Sequence, residues 1–275
     1  MMNQNSGSMS PDILMFMSDQ HAWSYMGSAG HPVQETPSLD RIAENGVSLD
    51  NMYTSCPLCV PARLSMATSR FPSRIGVLSN SCLIPEDVAT FMHSLVASGY
   101  ETVLCGRMHF KGHDHLKGFS KRIFPELLPS FWGKACSPSH YLQRFADTFS
   151  ESHCLEYVGT GYSPVLEYDE HVVQAAMEYL SQPHDKPQFL VVGTYAPHFS
   201  YVAPEEYFQK YYGRVPGPSA RPDTIDYRMP ALEHKQQFPS GETLTKARAA
   251  YCGMVENLDR QIGQICRSKF STMPQ

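Results

Sequence analysis

Three short apolar runs, each passing into polar residues with chemistry to offer, constrain this chain more than any other feature. Asp12 to Met17 ends in Ser18-Asp19-Gln20, Thr102 to Cys105 runs into Gly106-Arg107-Met108-His109, and Phe189 to Tyr195 runs into Ala196-Pro197-His198. Near-continuous apolar runs of this length read as strands buried on both faces, as in a parallel sheet covered by helices. Ligands in open α/β sheets gather beyond the carboxyl ends of the strands, so the residues after each run are the first candidates for a site.

The intervening pattern is helical. Thr36 to Asn45 has an N-cap residue, a proline in the first turn and Gly46 as a stop. Pro85 to Ser98 carries an apolar stripe at Val88, Phe91, Met92, Leu95 and Val96 and closes at Gly99. Asp169 to Leu180 forms a further helix, and a long one from Glu242 to Arg267 has its stripe at Leu244, Ala247, Tyr251, Met254, Leu258, Ile262 and Ile265. Alternating strands and helices predict an α/β fold with right-handed crossovers, a single domain over residues 1–275. Residues 121–164 and 215–240, rich in proline, serine or aromatics, are expected to be insertions over the catalytic face.

A net charge of −5 argues against a nucleic-acid surface, and no apolar run is long enough to span a bilayer. The first ten residues are polar and resemble no signal peptide. The eight cysteines are scattered, several within expected strands or helices, so reduced thiols and a cytoplasmic location are expected.

The sharpest local motif is Cys56-Pro57-Leu58-Cys59-Val60-Pro61-Ala62-Arg63, followed by Leu64 to Arg70. Proline suits a first helical turn, and Arg63 lies one turn beyond Cys59. Helix-terminal amides and the dipole favour an anion beside Cys59. A Cys-x-x-Cys pair before a helix also suits a redox motif. Zinc would want further soft ligands at motif spacing, and a pair of buried structural cysteines is the plainest alternative.

Cys59-x-Pro61-Ala62-Arg63 resembles the signature of the type I sulfatases, of the alkaline-phosphatase-like superfamily, with Val60 and Ser69 departing from the usual small residue and glycine. The resemblance implies that a separate maturation enzyme oxidises Cys59 to formylglycine. One hydroxyl of the aldehyde hydrate then attacks sulfur, and loss of the other's proton expels sulfate. Arg63 would hold the hydrate. Asp19-Gln20 is similar to the metal-binding pair of choline sulfatases and phosphonate monoester hydrolases. It implies a divalent cation, calcium or else manganese, held by Asp19, Gln20 and the modified Cys59. Gly99-Tyr100-x-Thr102 to His109 resembles the second sulfatase signature with Arg107 in place of lysine. Arg107 would contact the substrate anion and tolerate lysine, and His109 would take a proton from the hydrate. His198 is the candidate general acid. Gly112 to Phe119 is similar to a loop of the choline sulfatase group, and a second metal at His113, Asp114 and His115 is a lesser reading.

The implied function is hydrolysis of a small sulfate ester, or of a phosphate or phosphonate monoester. In relatives the long C-terminal helix precedes a metal-binding strand that has no counterpart here. The resemblance therefore implies a truncated chain with weak cation binding, impaired hydrolysis, and an uncovered apolar stripe that drives association, including homo-oligomer formation. The alternative is a non-catalytic remnant that binds anions or a partner protein.

Overall fold

The computed structural model describes residues 10–126, 135–136, 145–146, 154–216 and 241–269. In chain order the elements are β1 (Ile13–Met17), α1 (Pro37–Glu44), α2 (Cys59–Thr68), α3 (Pro72–Ile75), α4 (Phe91–Ala97), β2 (Glu101–Gly106) and β3 (Lys121–Phe124). There follow β4 (Ala135–Cys136), β5 (Phe145–Ala146), β6 (Gly159–Thr160), α5 (Pro164–Leu180), β7 (Gln188–Gly193), β8 (Val202–Ala203), α6 (Glu205–Tyr211) and α7 (Gly241–Lys269).

The main sheet has the order β1-β7-β2-β3 and is parallel throughout. Alternation along the central strands splits the core in two. Val103, Cys105, Leu190 and Val192 face α5 and α7, while Leu104, Phe189 and Val191 face α2 and α4. Those strand residues are at most 3 % exposed, which explains why the runs read as continuously apolar rather than alternating. Fully burying side chains of this size is worth roughly 1.5–3 kcal/mol each.

Register places the strand ends level with one another. Met17 and Gly106 both pair with Gly193. At this level the backbones pass too closely for a side chain. A Cβ on Gly193 would lie 2.0 Å from the Arg107 carbonyl oxygen, and Gly106, at φ +88°, would put one 2.3 Å from that of Gly193. The contact brings the segments after β1, β2 and β7 to a common edge.

Several boundaries differ from the sequence reading. The helix expected from Pro85 begins at Phe91, because the Thr90 amide donates to His93 Nδ1 at 3.1 Å and caps it there. The Pro85 carbonyl is instead held by the buried Lys117 Nζ at 2.9 Å. The helix expected from Asp169 begins a turn and a half earlier, with Ser163 accepting from the Val165 amide and Pro164 in the first turn. Thr36 stands at the N-cap of α1 without capping it. Asp259 of α7 does so, accepting from the amides of Ser38 and Leu39 at 3.0 and 2.8 Å.

The expected insertion 121–164 carries sheet residues near both ends. Lys121–Phe124 joins the sheet beside β2, and Gly159–Thr160 pairs with β8. Most of the rest of that segment, and 217–240 of the second expected insertion, lie outside the described residues. The apolar stripe of α7 is not uncovered: Met254, Leu258, Ile262 and Ile265 are at most 5 % exposed. They are covered as α7 packs on α1, α5, α6 and β8. Exposed apolar side chains gather instead ahead of Cys56, at Val47, Leu49, Met52 and Tyr53. No helix among the described residues is long and apolar enough to cross a membrane.

Candidate active site

The common edge of β1, β2 and β7 carries the residues that the sequence singled out. Asp19 follows β1, Arg107 and His109 follow β2, and His198 follows β7, with the Asp19 amide donating to the Ala196 carbonyl at 3.4 Å. Cys59 opens α2 after an extended Leu58. The helix closes at Ser69, which takes the left-handed conformation, φ 55°, that a glycine adopts more readily. A cavity of about 430 Å³ opens here, lined among others by Asp19, Gln20, Cys59, Arg63, Asn80 and His198.

Asp19 is the electrostatic centre. Its Oδ2 lies 2.5 Å from Arg107 Nε and 3.5 Å from an Arg63 nitrogen, while its Oδ1 faces Cys59 Sγ at 3.6 Å. Burial alone would raise the Asp19 pKa, but Arg107 and Arg63 outweigh it and hold the carboxyl down at about 2. One carboxylate oxygen is thus engaged by the arginines and the other faces the cavity.

Cys59 is no thiolate. Burial and the neighbouring Asp19 charge push its pKa up, against the pull of Arg107 and Arg63. Asn80 Oδ1 takes up the Val60 amide at 2.9 Å, so part of the helix terminus is already occupied. A redox cysteine needs the opposite environment, one that lowers the thiol pKa. Cys56 and Cys59 carry no disulfide.

His198 Nδ1 lies 3.0 Å from the Phe199 carbonyl, which can only accept, so that nitrogen carries the proton and Nε2 is bare. Burial lowers its pKa and favours this neutral form. Asp19, Cys59 and His198 each offer one ligand atom, all within 4.8 Å of one another, the one such cluster among the described residues. The Asp19 carboxylate oxygen that faces the cavity and the side-chain amide oxygen of Gln20, which lines it, are donors that fit a divalent cation.

Arg107 and His109 are set behind this cavity rather than on it. Arg107 is 3 % exposed, with its Nη1 3.5 Å from Glu126 and its guanidinium 4.1 Å over the Tyr195 ring. Its Nη2 donates to His109 Nδ1 at 3.0 Å, and Arg63 donates to its carbonyl oxygen at 3.1 Å. Burial and the two arginines lower the His109 pKa to about 3, so its imidazole is neutral. The expectation that Arg107 tolerates lysine changes accordingly, because one ammonium cannot serve three partners held by a planar fork.

Two acidic residues at the site escaped the sequence reading. Glu126 accepts from the amides of Met108 and His109, fixing the turn after β2. Asp169, fully buried on α5, accepts from the amides of Tyr195 and Ala196 at 2.6 and 2.7 Å and fixes the turn after β7. Conversely, the lesser metal reading at 113–115 is not what this loop builds. Asp114 accepts from the amides of Leu116 and Lys117, and His115 Nδ1 donates to the Phe110 carbonyl.

The strand ends of this parallel sheet thus bring together a carboxylate, two buried arginines, an imidazole and a helix-opening cysteine. The sulfatase family profile matches residues 11–268, and the chain belongs to that family. It is 27 % identical over 274 residues to a choline-sulfatase of Rhizobium meliloti, covering 93 % of this chain and 53 % of that protein. To an arylsulfatase of Clostridium perfringens it is 26 % identical over 283 residues, covering 93 % and 58 %. The crystal structure of a phosphonate monoester hydrolase of Agrobacterium radiobacter superposes with a TM-score of 0.70 at 20 % identity, covering 96 % of this chain and 60 % of that one. The chain thus spans a little over half the length of these relatives.

Proposed function

We propose that the cavity hydrolyses small sulfate esters, with phosphate and phosphonate monoesters as close chemical alternatives, through a formylglycine made from Cys59 and a divalent cation. The convergence of Asp19, Cys59 and His198 within 4.8 Å carries the reading, in a chain of the sulfatase family. Asp19 Oδ1, Gln20 and the group at position 59 would hold the cation; calcium suits such hard donors, and manganese is the alternative. The cation would offset the charge of the ester oxygens, and the aldehyde hydrate would provide the nucleophilic hydroxyl.

The chain's own groups divide the remaining work. Arg63, one turn along α2 and lining the cavity, would hold the oxygen at position 59. Arg107 keeps Asp19 ionised and orients His109: its Nη2 donates to His109 Nδ1, so the neutral ring carries its proton on Nε2 and would donate a hydrogen bond to the oxygen at position 59 rather than accept its proton. His198 presents a bare Nε2, so it would act as general acid only after taking up a proton.

The test is turnover of a small aryl sulfate by protein co-produced with a maturation enzyme and supplied with calcium. Cys59→Ala is expected to abolish it and Cys56→Ala to retain most of it, since Pro61 and Arg63 are registered to Cys59 alone. Equal loss in both variants with a dependence on reductant would overturn the reading. So would aldehyde-bearing protein that turns over none of the three ester classes.

A further inference from the structure

Gln20 leaves β1 in the left-handed region, at φ 58°, which residues with a Cβ adopt rarely. Helix α7 returns to this turn from far along the chain. Tyr251 Oη donates to the Gln20 carbonyl at 2.7 Å and accepts from the Ala22 amide at 2.8 Å. A single phenol thus ties down main-chain groups on both sides of His21, with its one proton and an acceptor lone pair both engaged. The ring itself is wedged, with Tyr25 edge-on at 4.8 Å and Tyr201 at 6.2 Å. From Tyr201 the aromatic contact continues to Phe199, 4.1 Å from the His198 ring. Tyr251 therefore stands where the turns after β1 and β7 meet.

We propose that Tyr251 is a positioning residue that holds the Asp19-Gln20 turn in the geometry needed to bind the cation. The inference rests on the reading that these residues hold one. Asp19 has only Oδ1 to offer, because Oδ2 is taken by the arginines. Gln20, next in the chain and lining the same cavity, would offer its side-chain amide oxygen, and its backbone is in a left-handed conformation that residues with a Cβ adopt rarely. Without the phenol, the Gln20 carbonyl and the Ala22 amide turn to water, and the donor set loses its preset geometry. Removing groups that orient ligands typically weakens metal affinity about 10–100-fold.

Calcium alone, or manganese alone where calcium does not bind, is the probe, titrated calorimetrically into the 275-residue chain. Tyr251→Phe keeps the wedged ring and removes only the hydroxyl, so calcium affinity is expected to fall about 10–100-fold while the urea midpoint in calcium-free buffer stays near that of the wild type. Tyr100→Phe is the control, since it also removes a phenol bond to a carbonyl, that of Pro11, away from the site; its calcium affinity should match the wild type. Unaltered affinity in Tyr251→Phe overturns the inference. So does an equal loss in both variants, which would mark a general structural effect. If the wild type binds neither calcium nor manganese, titrated in turn, the cation reading itself fails and the inference with it. If Tyr251→Phe proves unstable, the calcium-induced rise in its melting temperature is compared with that of a core variant of matched stability, Val173→Ala. A smaller rise in Tyr251→Phe supports the inference, and equal rises overturn it.

Discussion

Replacing Arg107 by alanine is expected to destabilise the chain by about 3–5 kcal/mol, the usual cost of removing one partner from a buried ion pair. Asp19 and Glu126 would each lose a cation, and His109 a donor, at a site only 3 % exposed. Asp19, held ionised at about 2 mainly by Arg107, would keep only Arg63 against the cost of its burial. Arg107→Lys should recover part of this at most, because the fork reaches Asp19 through Nε, Glu126 through Nη1 and His109 through Nη2. Urea denaturation of the two variants decides it. A loss below about 1 kcal/mol in the alanine variant, the scale of an exposed pair, would show that the fork does not hold the site together.

Asp169→Ala is expected to cost a comparable amount by a different route. It orphans two amides, on residues each 1 % exposed, at about 1–3 kcal/mol each. Burial raises the Asp169 pKa from 3.8 to about 7, although the two amides pull it down. The folded value lies above the unfolded one, so the native state retains a proton that the unfolded chain releases. The stability linked to that proton is present in full below about 3.8 and is lost as pH rises through about 7. Asp169→Asn, which cannot ionise, should flatten this part of the profile while still weakening the turn. Denaturation midpoints from pH 4 to 8 test it. Identical slopes in the wild type and Asp169→Asn would refute the assignment.

The strands and the candidates beyond them were legible because burial on both faces leaves an unbroken apolar run, and because Asp19, Arg107 and His198 each follow such a run closely. Elements set by tertiary contacts were not. Lys121–Phe124 reads as loop since two of its residues are charged, as an edge strand tolerates. Glu126 and Asp169 act by accepting from backbone amides, which leaves no spacing pattern to find. Arg107 announced its charge but not its burial, because its partner Glu126 reaches it only through the fold. The stripe of α7 is legible in its positions but not in its cover, since α1, α5 and α6 reach it only through the fold.

The central claim is that the chemistry resides at Cys59, and peptide mass measurement of protein co-produced with a maturation enzyme tests it most directly. The account predicts an aldehyde in place of the thiol at Cys59 and an intact thiol at Cys56 in the same peptide. An unmodified Cys59, under conditions that convert another sulfatase made in the same cells, would contradict it.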